Sequence, residues 1–191
     1  MNRKLLFSVL IIGMSVNVFS QSNLAEVNKI NGFYIFVDSK PVSDYEVLGE
    51  VKVDETDKEV LKSEGQYSAI RDNIIKNART ANYTAEGLIF SYINGGTDKA
   101  MMIKFKDKSE KNNLAKVEQF QGLYIFTDCS PTKEYKYIDT VKFSGGFNNL
   151  QYTNVRDIMI KRVRKKYSDA EGIVLKFVIG GNDVADAIKF E

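Results

Sequence analysis

A chain with no histidine and a single cysteine must do whatever chemistry it does with carboxylates, cationic amines and guanidiniums, and hydroxyls. That excludes Ser-His-Asp and Cys-His relays, which need an imidazole to carry the proton. It also removes the usual ligand sets for zinc, haem and iron–sulfur clusters. No phosphate loop of the GxxxxGK[ST] or GxGxxG kind is present. Carboxylates are left, and four of them recur in matching places: Asp38 with Asp128, and Glu86 with Glu171. Two carboxyl groups roughly 5–10 Å apart can protonate and attack a glycosidic bond, which makes Asp128 and Glu171 candidate residues for a hydrolase. The competing reading is structural. An Asp before the Ser39-x-Pro41 or Cys129-x-Pro131 turn commonly bonds its own backbone, and a Glu at a strand entrance is often solvated. No residue is therefore assigned as catalytic. Oxygen ligands for calcium occur at Asp54, Glu55, Thr56 and Asp57, and again at Asn182, Asp183 and Asp186, but neither run follows the EF-hand spacing. No metal or cofactor is assigned.

Cations cluster once, at Lys161, Arg162, Arg164, Lys165 and Lys166. The first four are candidate binding residues for an acidic protein or an anionic envelope component such as lipid headgroups or lipopolysaccharide, and Asp128 and Glu171 are carried beside them as candidate binding residues. Cations at a helix C-terminus also oppose the negative end of the helix dipole, so the same run has an ordinary stabilising explanation. Arg71-Asp72 and Arg156-Asp157 recur as well, and each arginine is expected to contact an acid of its own copy.

These residues sit in a duplication. Gly32-Phe33-Tyr34-Ile35-Phe36-Val37-Asp38, with Pro41 and Tyr45, answers Gly122-Leu123-Tyr124-Ile125-Phe126-Thr127-Asp128, with Pro131 and Tyr135. Gln66-Tyr67, Ala85-Glu86-Gly87, Gly95-Gly96 and Ile103-Lys104-Phe105 recur in the same order as Gln151-Tyr152, Ala170-Glu171-Gly172, Gly180-Gly181 and Ile188-Lys189-Phe190. The offset is 90 residues early and 85 later, so the first copy carries extra residues around 54–62.

Each copy reads strand, strand, helix, strand, strand. Residues 32–37 are aromatic and branched, residues 38–44 form a turn, and residues 45–53 alternate with one wetter face. Tyr67, Ile70, Ile74 and Ala78 fall at helical spacing, as do Tyr152, Val155, Met159 and Val163. Ser63 with Gln66 and Asn148 with Gln151 have the spacing of capping boxes. Residues 88–93 and 173–179 are apolar on both faces and predict central strands, each followed by a Gly-Gly turn. The expected fold class is α+β: two tandem ββαββ modules, residues 24–106 and 117–191, joined by a polar linker at 107–116. Each module has one helix on one sheet face, and the two pack as a pseudo-two-fold pair.

The first twenty residues stand apart. Asn2-Arg3-Lys4 is basic, residues 5–16 are mostly apolar, and Val18-Phe19-Ser20 suits a cleavage site, so residues 1–20 read as a secretory signal. No cysteine follows the cut for lipid attachment, and no later apolar run is long enough to span a bilayer. The expected location is the periplasm or outside the cell. The whole chain has 27 basic and 25 acidic residues; losing Arg3 and Lys4 with the signal brings the balance to zero. A neutral product is not expected to bind nucleic acid. Cys129 is expected to be a buried small side chain, since Ser39 holds the matching place.

Val47-Leu48-Gly49-Glu50-Val51, then Ile75-Lys76-Asn77-Ala78-Arg79, then Ala85-Glu86-Gly87-Leu88-Ile89 resembles the YbjQ-like class of small domains, also named heavy-metal-binding, and is similar in plan to RcsF-like envelope proteins. In the second copy Asp139 replaces the glycine of the first motif. The Y-I-F-x-D-x-x-P pattern resembles exported proteins of Bacteroidetes-type bacteria. The resemblance implies a small α/β fold and an envelope setting; the metal in the family's name finds no histidine here and only one cysteine. The expected function is non-enzymatic binding of a protein or envelope component by an exported protein, with self-association left open. The alternative is a carboxylate-based hydrolase acting on envelope polysaccharide.

Overall fold

The computed structural model describes residues 21–108, 112–144, 150–178 and 182–191; the expected signal lies outside them. The chain is α+β. The N-terminal half runs β1 (Leu24–Val27), β2 (Lys29–Ile30), β3 (Phe33–Phe36), β4 (Ser39–Pro41), β5 (Tyr45–Lys52), α1 (Lys58–Lys62), α2 (Tyr67–Ala81), β6 (Gly87–Ser91) and β7 (Lys99–Phe105). The C-terminal half runs β8 (Leu114–Val117), β9 (Gln119–Phe120), β10 (Leu123–Thr127), β11 (Cys129–Pro131), β12 (Tyr135–Lys142), α3 (Tyr152–Lys166), β13 (Gly172–Lys176) and β14 (Val184–Phe190).

Two five-stranded sheets have the orders β2-β3-β6-β7-β5 and β9-β10-β13-β14-β12. β3 pairs β6 in parallel, as β10 pairs β13, so α2 and α3 lie in the crossovers that a parallel pair requires. β6 and β13 take the middle places, where strands apolar on both faces belong. The edge strands β5 and β12 each carry a register shift, at Val47/Gly49 and Tyr137/Asp139. Bulges and alternating charge on an edge discourage pairing with other chains.

A third sheet, ordered β11-β1-β8-β4, takes strands from both halves. Ala25 faces Ala115 across its centre, Val27 faces Cys129 on one side and Val117 faces Ser39 on the other. Each half therefore lends its short fourth strand to the opening strand of the other. The residues are four-residue alternations, Leu24-Ala25-Glu26-Val27 and Leu114-Ala115-Lys116-Val117, too short to register as periodic in sequence. β8 begins inside the stretch 107–116 expected to be linker, and β4 and β11 lie within the expected turns.

The core has two parts. One lies under α2 and α3 and contains Ile35, Ile74, Leu88, Ile125, Met159 and Ile173. The other lies between the opposite faces of the five-stranded sheets and the shared sheet, with Phe36, Ile103, Phe126 and Ile188 against Ala25, Val27, Ala115 and Val117. The sheet face that a single helix leaves bare is thus covered by the shared sheet.

The expected capping box at Ser63 and Gln66 does not form. Gln66 is the N-cap of α2 without a side-chain bond, while Ser63 closes α1, its hydroxyl donating to the Val60 carbonyl at 2.7 Å. The extra residues of the first copy supply that short helix, which the capping reading overlooked. Gln151 likewise caps α3 without a side-chain bond, and Asn148 lies outside the described residues.

Candidate functional site

Asp38 and Asp128 follow β3 and β10 and adopt positive φ, 45° and 51°. Asp is one of the few residues that tolerates this conformation. Neither carboxylate turns onto its own backbone. Tyr152 Oη donates to Asp38 Oδ2 at 2.7 Å, and Arg156 Nη1 donates to both Asp38 oxygens at 3.1 Å. Tyr67 Oη donates to Asp128 Oδ2 at 2.5 Å, and Arg71 Nη1 to the same oxygen at 3.0 Å. The helix of each half thus holds the strand-end acid of the other. This corrects the turn reading: a guanidinium and a phenol bond a carboxylate more strongly than a turn amide does. It also extends the reading of the arginines. Each Nε does bond the adjacent Asp72 or Asp157 at 2.9 Å, but Nη1 crosses between the halves.

The clasps are mostly buried, with side-chain exposures of 15% and 18% for Arg71 and Asp128 and 12% and 13% for Arg156 and Asp38. Burial disfavours the Arg71 cation, yet the charge and hydrogen bond of Asp128 together with Tyr67 and Asp72 outweigh it and its pKa rises. Burial first, and for Tyr67 also Tyr92 and Asp128, raises the phenols of Tyr67 and Tyr152 well above the usual tyrosine range. Between the clasps Tyr67, Tyr92, Tyr152 and Phe177 form one aromatic cluster, with ring centroids 4.3 Å apart for Tyr67–Phe177 and 4.6 Å for Tyr92–Tyr152. Sequence reading missed this cluster; the recurrent Gln-Tyr at 66–67 and 151–152 was its one signal.

Asp128 and Glu171 do not assemble into a hydrolytic pair. Glu171 accepts from the Phe190 amide at 2.8 Å, and Glu86 from the Phe105 amide at 3.0 Å. In the parallel pair Tyr124 faces Gly172 and Thr127 faces Leu175, so Asp128 and Glu171 stand at opposite ends. Five strand residues separate their levels, roughly 16 Å at about 3.3 Å per residue. Glycoside hydrolysis needs less than about 10 Å.

The cationic run divides in two. Arg162 donates to the carbonyls of Lys142 at 2.7 Å and Ser144 at 3.2 Å. Arg164 Nε donates to the Gln121 carbonyl at 3.0 Å, anchoring the turn before β10, and Lys166 pairs with Asp139 at 3.0 Å. Lys161 and Lys165 are exposed on one flank of α3 and make no ion pair among the described residues. Of the four candidates, the structure leaves these two free.

The candidate calcium loops are closed by the protein's own donors. Asp54 accepts from the Thr56 amide and hydroxyl, Asp57 caps α1, and Asp183 accepts from the Val178 amide. Hydrogen bonds from Thr56 hold Asp54 below the usual carboxylate range. Among the described residues no cluster of three or more metal-binding side chains occurs. An open groove of about 480 Å³ lies between α1 and α2, lined among others by Asp57, Lys62, Gln66, Asp72 and Lys76. Cys129 is buried, and burial pushes its thiol up to about 12. No helix among the described residues is long and apolar enough to cross a membrane. No family model, curated protein or solved structure matches this chain.

Proposed function

We propose that this is a non-enzymatic exported protein that binds an anionic component of the cell envelope through the free flank of α3. One observation carries the reading: Lys161 and Lys165, a turn apart, are the cations of the run that neither an acid nor a backbone carbonyl holds among the described residues. Export is read from the N-terminal sequence, and the use of Asp128 and Glu171 as structural acceptors favours binding over hydrolysis. The halves are further proposed to be duplicated ββαββ modules packed about a pseudo-two-fold axis. The facing of Ala25 and Ala115 and the reciprocal Tyr–Arg–Asp clasps support it.

The test is sedimentation with vesicles containing phosphatidylglycerol, and with lipopolysaccharide as the competing phosphate source, at low and high salt. At about 1 kcal/mol per surface cation, Lys161→Glu with Lys165→Glu should weaken binding at least about tenfold. Binding that ignores both the substitutions and the salt would sink the reading.

A further inference from the structure

The surface each half shows to the other is self-complementary in kind. Each half carries a strand-end Asp and a helix Tyr and Arg; each carries an opening strand and a short fourth strand for the shared sheet. What joins them covalently is one stretch of chain between Phe105 and Leu114, and the single cysteine offers no second link. Eight residues span up to about 26–29 Å when extended.

We infer that the halves are exchangeable between copies: the N-terminal half of one chain docks on the C-terminal half of a second, giving a closed dimer of two complete units. The exchange keeps every contact between halves, including both clasps and all four strands of the shared sheet. What it changes is the connection alone: the stretch between Phe105 and Leu114 then joins two units instead of belonging to one. A short tether gives its own partner an effective concentration in the millimolar range, so the monomer dominates in dilute solution and the exchanged dimer gains when own-partner docking is impaired.

Charge reversal separates the two modes in the full chain. Arg71→Asp opposes Asp128 of its own chain, and Asp128→Arg opposes its own Arg71. Between the two variants, however, Asp at 71 meets Arg at 128, and the reciprocal unit pairs native Arg71 with native Asp128. Refolding an equimolar mixture should convert two mispaired chains into a heterodimer, seen by native mass spectrometry at twice the chain mass with one chain of each kind. The double variant R71D/D128R should stay monomeric, and it shares any strain that Arg brings to residue 128, where φ is 51°. A folded double variant with no heterodimer in the mixture overturns the inference, as do homodimers of either variant in equal yield. Should the double variant not fold, the native chain refolded at millimolar concentration decides: a slowly exchanging dimer fraction supports exchange, and monomer alone overturns it.

Discussion

Two buried tyrosines, Tyr67 and Tyr152, and the half-buried Tyr92 face different bonding prospects. The hydroxyls of Tyr67 and Tyr152 each satisfy an aspartate, and Thr127 Oγ1 lies 3.0 Å from that of Tyr152. Tyr92 Oη is buried without a hydrogen-bond partner among the described residues, and the matching residue of the second copy is Phe177. Removing a satisfied donor leaves a buried carboxylate short of one bond, at a cost of about 1–3 kcal/mol; removing an unsatisfied one releases a desolvation penalty. Tyr67→Phe and Tyr152→Phe should therefore each lower unfolding free energy by about 1–3 kcal/mol in urea titrations. Tyr92→Phe should leave it unchanged or raise it. No loss in Tyr67→Phe or Tyr152→Phe would show that the rings, not the hydroxyls, carry the clasp.

At the scale of elements, helix α3 illustrates how one run of like residues serves two ends. Arg164 reaches back from the helix to the Gln121 carbonyl, and Gly122 beside it, with φ of 80°, leaves the room: an added Cβ would lie 2.4 Å from Arg164 Nη2. Arg79 makes the matching bond to the Asn31 carbonyl before Gly32. Arg164→Ala should thus cost about 1 kcal/mol or more of stability, whereas Lys165→Ala, on the exposed flank, should stay within about 0.5 kcal/mol; thermal melts of both variants check the contrast. Sequence periodicity revealed the two long helices and the central strands, because Tyr67 to Ala78 and Gly87 to Phe90 bury continuous faces. It could not show which cations of the run were tied, because their acceptors include the Gln121, Lys142 and Ser144 carbonyls and the Asp139 carboxylate, far along the chain. The shared sheet was hidden for a related reason. Its strands are three or four residues long and are stabilised by partners in the other half, so local pattern says little about them. Asp38 and Asp128 were legible as a recurrent pair, but not as acids held from the opposite copy.

For the whole molecule, the place where the halves meet is also where its ionisable groups are most deeply buried. Tyr67, Tyr92 and Tyr152 hold their protons above the usual tyrosine range, burial being the main cause, and Cys129 in the shared sheet is pushed up to about 12. An unfolded chain releases these protons near pH 10 for tyrosine and about 8.5 for cysteine. Above those values the unfolded state binds fewer protons than the folded one, so stability is complete below pH 8 or so and falls as pH rises. Each group removes about 1.4 kcal/mol per pH unit once the unfolded form is deprotonated. Three phenols held together steepen that loss, set against the roughly 5–15 kcal/mol that holds a typical domain together. Alkaline titration should accordingly show part of the tyrosinate absorbance appearing only as circular dichroism reports loss of structure, late and cooperatively. Loosening the clasp without removing a phenol, by Arg71→Ala, should move that transition to lower pH. If all ten tyrosines ionise near pH 10 while the fold persists, the junction between the halves is open to water and the buried cluster does not hold them together.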